Sequence, residues 1–249
     1  SAVPWVVGAL ADEHSRLVWW AAAAAIDLLG MRLRHPVPGL PVPGRDEIDF
    51  DLPHQIERCQ LFLIICLGEA ILTTGNAIIH GLDEPLVVAA GVTSLLVIIG
   101  VWALFFGPAN EEHVLAPMTS EAHGDDPAAN VSLAALATNG QQVLVLGMVA
   151  LAVGAEVVVA EPAEPIAPAA VMALFGGMVI CVTAFWFFLT RSTGRSMWVS
   201  LAACDAVLIC AAAASMLAGL PGIAVMGLLV VVTASTAWGF NREARLLAR

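Results

Sequence analysis

From Leu86 to Phe106 the chain runs without a single charged residue. A helix of that length crosses the ~30 Å hydrocarbon core of a bilayer, and in lipid every backbone N–H and C=O must be satisfied inside such a helix. Similar runs recur along the chain, which predicts an all-α, polytopic membrane helix bundle. The expected spans are 16–33, 53–80, 86–106, 130–159, 169–189, 197–218 and 223–240, seven complete transmembrane helices forming a single membrane domain over 1–249. Residues 1–11 are too short an apolar run to cross. They read as the remnant of a preceding helix, with missing N-terminal helices of the same protein as partners, and not as a signal peptide, because no basic stretch precedes them.

The spans are joined by three kinds of connector. Residues 34–53, with PVPGLPVPG, are too rich in Pro and Gly for a helix of their own. Residues 108–127 form an acidic loop, and EPAEPIAP makes a turn. The net charge of −11 is therefore local: Glu111, Glu112, Glu121, Asp125 and Asp126 supply much of it. No basic patch exists to neutralise phosphates, so nucleic acid is not an expected partner.

All ten basic residues are Arg, and Lys is absent. A lysine Schiff base with retinal or pyridoxal and a P-loop lysine are thereby excluded, and no cofactor is implied. The five cysteines lie in apolar runs without CxxC spacing and read as buried reduced thiols. Alternating the connectors across the bilayer places Arg32, Arg34, Arg45, Arg191, Arg195, Arg242, Arg245 and Arg249 on one side and Arg16 on the other. That bias makes the Arg-rich side, with the C-terminus, the expected cytoplasmic side.

One span departs from the pattern, because residues 53–80 carry charges where an apolar helix should not. Asp51 is placed to cap it and Pro53 fits its first turn. Setting His54 to zero at 100° per residue puts Arg58 and Asn76 at roughly 40°, Glu69 at roughly 60°, His80 at roughly 80° and Thr73 at roughly 100°. Nearly all the polar groups share one stripe, expected to be a mixed seam facing other helices. Glu69 lies about 16 Å along the axis from both Arg58 and His80, close to the midplane if those two mark the interfaces. A charged carboxylate there costs at least ~2.5 kcal/mol, so it should face the bundle interior, pair, or be protonated. Gly68 and Gly75 offer a flank where another helix could approach.

Other polar groups are weaker candidates. Asp27 and Asp205 fall roughly 10–12 Å from the cytoplasmic ends of their helices, at depths where they could meet Arg58. His54, Glu57 and Arg58 have two readings. They form an interfacial cap with Arg58 snorkelling to headgroups, or Arg58 turns inward to neutralise Glu69, Asp27 or Asp205. His54 and Glu57 are ligand-capable neighbours, yet no third ligand is evident, so no metal site is assigned. Asn139, Gln141 and Gln142 read as interhelical glue, and Glu156 lies near the far end of its helix.

The string IERCQLFLIICLGEAIL, which with His54 reads H-x-x-E-R, then an aromatic-rich apolar run, then L-G-E, resembles the signature of the bacterial low temperature requirement protein A (LtrA) family. LVWWAAAAAIDLLG, VWALFFG, NGQQVLVLGMVALAVGAE and ALFGGMVICVTAFWFFL resemble further segments of that family in the same order. The resemblance implies that His54, Glu57, Arg58, Glu69 and Glu156 are the polar residues to carry over. Gln141 stands where relatives tend to place a His, so that position lacks a titratable imidazole. The family's acidic, aromatic-rich N-terminal motif is missing, which marks the chain as a C-terminal portion. The resemblance implies a fold and no reaction.

The expected function is a transport-type protein, proton- or cation-linked, with a small ion or small molecule as partner besides the bilayer. Glu69 would be its titratable group, attended by Arg58, Asp27, Asp205, His54 and Glu57, with Glu156, Gln141 and Asn76 secondary. No catalytic residue is assigned. The alternatives are a membrane enzyme acting on a lipid or polyprenyl substrate, and a structural membrane protein supporting cold adaptation.

Overall fold

The computed structural model describes residues 2–33, 39, 51–79, 81–107, 127–193 and 198–247. They form eight helices: α1 (Ala2–Leu10), α2 (Glu13–Arg32), α3 (Leu52–Ile79), α4 (Pro85–Phe106), α5 (Pro127–Ala160), α6 (Pro168–Thr193), α7 (Trp198–Ala218) and α8 (Gly222–Leu247). The all-α architecture expected from the apolar runs is what the chain adopts. Six of the helices, α3 to α8, are long and apolar enough to cross a bilayer. The helix expected over 16–33 forms as α2, and Glu13, Arg16, Asp27 and Arg32 make it less apolar than the six; among the described residues these six meet the length and apolarity of a span, and the number seven is not fixed by them. Helix α8 continues beyond the expected boundary at 240 into the basic tail. His80, the acidic 108–126 segment, Arg34, Arg45 and Arg195 lie outside the described residues.

By its contacts the chain divides into two compact units, Ser1–Asp49 and Phe50–Arg249. In the first, α1 and α2 fold back on each other around Gly8, where a Cβ would stand 2.5 Å from Trp20 Cδ1. Asp12 caps α2: its carboxylate accepts from the Ser15 backbone N–H at 3.3 Å and from the Ser15 hydroxyl at 2.7 Å. Those two donors hold the Asp12 carboxyl below its ordinary range. Arg16 closes α1 by donating to the Ala11 carbonyl at 3.3 Å and lies 5.8 Å from the Trp20 ring centroid.

In the second unit α3 packs on α4 and α5, α4 on α8, α8 on α7, α7 on α6 and α6 on α5, so six helices close a ring. The α5–α6 pair is its most extensive contact. Lipid tails are as apolar as Leu, so such helices associate by close van der Waals fit. Small residues supply it here. A Cβ on Gly177 would lie 2.6 Å from the Gly147 carbonyl oxygen, and one on Gly100 would lie 2.6 Å from Thr233 Cγ2. At one end of the ring the rings of Phe105, Phe185, Trp186 and Phe240 meet edge to face, with centroids 4.6–5.7 Å apart.

Backbone hydrogen bonds place two connectors at a common end. Gly219, at φ +57°, lets α7 terminate with Leu220 N–H donating to the Ser215 carbonyl. The turn then pairs with the 161–167 connector, through Ile166 N–H to Leu220 O at 3.2 Å and Gly222 N–H to Glu164 O at 3.0 Å. The ends of α4 and α8 also meet, since a Cβ on Gly107 would fall 2.7 Å from Asn241 Oδ1.

Candidate functional site

Helix α3 starts as its sequence dictates: Asp51 Oδ1 accepts from the His54 backbone N–H at 3.0 Å. Its buried residues, Leu52, Ile56, Leu63, Leu67 and Thr74, recur at helical spacing and make one inward face. The polar stripe lies roughly opposite, so His54, Glu57, Arg58, Glu69 and Asn76 are all exposed and the mixed seam does not face the interior of this ring. The reason is packing: α3 has an apolar arc of its own on the far side, and that arc meets α4 and α5. Leu72 and Ile65, on the same stripe as Glu69, are 69% and 66% exposed. Gly68 and Gly75 face open space, with nothing within 4 Å of an added Cβ, so no helix of the second unit packs closely on that flank among the described residues.

Among the described residues of the second unit, no hydrogen bond or ion pair joins Arg58, Glu69 and Asp205. His54 Nδ1 stands 3.9 Å from Glu57 Oε2, with both side chains well exposed. Neither Arg58 nor Glu69 makes a hydrogen bond or ion pair among the described residues. Asp27, in the N-terminal unit, accepts the Trp5 indole N–H at 3.1 Å. Asp205, on α7, accepts from the Thr183 hydroxyl of α6 at 3.1 Å, and its buried Oδ1 has no partner among the described residues. Glu156 is exposed near the end of α5. No group of three His, Cys, Asp or Glu side chains among the described residues could hold a metal ion. The cysteines are free thiols, and Cys210 is exposed where burial was expected, because it lies on the outer face of α7.

The inner face of α3 holds what the sequence left unseen. Gln55 Nε2 donates to Thr138 Oγ1 of α5 at 3.1 Å, and Gln141 Nε2 donates to the Cys59 carbonyl at 3.4 Å. Gln141 is thus the interhelical tie its sequence position suggested. Asn139 is not, since its amide returns to the Ala135 carbonyl of its own helix at 2.7 Å. Beside these ties α3, α4, α5 and α6 line a partly open cavity of about 90 Å³. Its polar wall is Cys59, Gln60 and Gln141; its apolar wall includes Phe105, Phe106, Phe185 and Phe188. A pocket between four helices leaves no trace in the periodicity of any one of them. A Gln at position 60 on an otherwise buried arc was the available signal.

Comparison with known proteins matches the family model described as bacterial low temperature requirement A protein (LtrA) to residues 1–236. The chain belongs to the LtrA family. Membership covers α1 to α7 and most of α8, so the stripe on α3 and the cavity behind it both lie in the matched region of this LtrA chain. The chain is also similar to an uncharacterized protein of Rhizobium meliloti (strain 1021), with 28% identity over 158 residues, which is 64% of this chain and 37% of that relative's length. The chain therefore covers little more than a third of the relative it matches. No solved structure matches this LtrA chain.

Proposed function

We propose that this multi-pass membrane protein is transport-type, linked to movement of a proton or a cation, and that Glu69 is the group that binds it. The reading takes the whole chain as one membrane domain of the bacterial inner membrane, with the C-terminus in the cytoplasm, as the Arg bias implies. The observation that supports it is the setting of Glu69. The carboxylate stands in the middle of a membrane span; the ring does not take it inside, since it is exposed on the outer face of α3 without a partner among the described residues, so the reading rests on its depth alone.

Such a group is costly to keep, by at least ~2.5 kcal/mol when charged at the bilayer centre. It gives the ring nothing in return, because α3 is held by Leu52, Ile56, Leu63, Leu67 and Thr74 on its other face. An acid at that depth that stabilises no packing among the described residues is read here as functional, and proton or cation uptake is what would neutralise it. Arg58 and Asn76 share its stripe and are exposed with it. Asp27 and Asp205 have partners of their own and act, in this reading, on their local contacts.

The test is flux. In proteoliposomes carrying an imposed pH or cation gradient, Glu69→Gln abolishes gradient-dependent flux while unfolding at the wild-type temperature in detergent. Wild-type flux in that variant would remove Glu69 from the mechanism.

A further inference from the structure

The cavity on the inner face of α3 is separate from the Glu69 stripe and independent of any role for it. No charged side chain lines it, so nothing there offsets the desolvation of an ionic ligand. Its phenylalanine wall suits a flat or chain-like apolar body. Its polar corner is incomplete: the Gln60 carboxamide has no protein partner among the described residues, and Gln141 spends its amide N–H on the Cys59 carbonyl, leaving its carboxamide oxygen open. Both residues are partly buried at the cavity wall, so a group that supplies the missing hydrogen bonds beside that apolar lining is favoured there.

Size narrows the occupant further. A volume of about 90 Å³ is roughly three times a water's ~30 Å³ share of liquid and smaller than the ~150 Å³ apolar cavity that accepts benzene. The enclosed part takes one ring edge or a few carbons, and the remainder of a ligand extends through the opening. Gly140, on the α5 wall, bounds this space: nothing lies within 4 Å of a Cβ added there.

We propose that the α3–α4–α5–α6 cavity is a binding site for a small uncharged amphipathic molecule, whose apolar body packs on the phenylalanines and whose single hydrogen-bonding group meets Gln60 and Gln141. Phenols and short alcohols have this chemistry.

The probe is 4-fluorophenol, titrated against the detergent-solubilised protein and followed by ¹⁹F NMR, with fluorobenzene as the partner lacking a hydroxyl. Saturable binding of 4-fluorophenol is expected in the wild type. Gly140→Leu fills the space and removes saturable binding of both probes. Gln60→Met keeps the shape and weakens 4-fluorophenol by roughly fivefold, the value of one net hydrogen bond, while leaving fluorobenzene unchanged. Saturating 4-fluorophenol also slows alkylation of Cys59 in a variant whose other four cysteines are Ala. Purely linear partitioning in the wild type, or saturable binding unaltered by both substitutions, overturns the proposal. If Gly140→Leu does not fold, the contrast between the two probes in Gln60→Met decides alone.

Discussion

Two adjacent glycines on α6 should answer oppositely to the same methyl group. On Gly177 an added Cβ would lie 2.6 Å from the Gly147 carbonyl oxygen and 2.9 Å from the Leu151 backbone nitrogen, against the 3.4 Å at which ordinary contact begins. The obstacle is backbone on α5, which cannot swing aside, so the helices must part by close to the shortfall, 3.4 − 2.6 = 0.8 Å. A gap of ~0.5–1 Å forfeits a quarter to a half of each dispersion contact along the crossing. Overpacking of this kind costs about 1–3 kcal/mol, offset by up to ~1 kcal/mol from replacing a helical glycine with alanine. Gly177→Ala should therefore gain nothing from the substitution and be destabilised by up to about 2 kcal/mol net. Gly176 faces open space, with nothing within 4 Å, so Gly176→Ala keeps only the propensity gain of up to ~1 kcal/mol. Reversible unfolding in mixed micelles, monitored by circular dichroism, gives both values. Equal shifts, or a stabilised Gly177→Ala, would refute the claim that close backbone contact holds α5 to α6.

The other predictions address single contacts. Thr183→Val removes the hydroxyl donated to Asp205 and should lower stability by about 0.6–1.7 kcal/mol in the same assay, with Thr183→Ser restoring most of it. The Asp12 cap should depend on pH. Because Ser15 holds the Asp12 carboxyl below its ordinary range, its contribution is complete above the unfolded carboxylate value and is lost as pH falls through the lower folded value. Amide hydrogen exchange at the start of α2, corrected for its intrinsic pH dependence, should speed up across that window in the wild type and show no such step in Asp12→Asn. Glu69→Gln should lose flux and keep its unfolding temperature, and Gln60→Met should separate the two fluorinated probes.

The sequence by itself determined that this is an all-helical membrane protein and where most of its helices run. Length and continuous apolarity are local properties, and the bilayer turns them directly into spans. It also showed how α3 begins, since Asp51 and the backbone it caps are three residues apart. It placed the polar groups of α3 on one stripe for the same reason: helical periodicity is fixed within a single element. Which way that stripe faces was another matter. Leu52, Ile56, Leu63, Leu67 and Thr74 form an equally regular face, and only the presence of α4 and α5 against it decides that Glu69 is on the outside. Likewise, nothing in the runs around Gly68 and Gly147 distinguishes an open glycine from one in backbone contact, and nothing in Gln60, Gln141 and Phe185 announces a common cavity. Those relations join residues far apart in the chain. They exist only once four helices have chosen their neighbours, because in lipid that choice rests on shape and hydrogen bonding between surfaces, which no single helix contains.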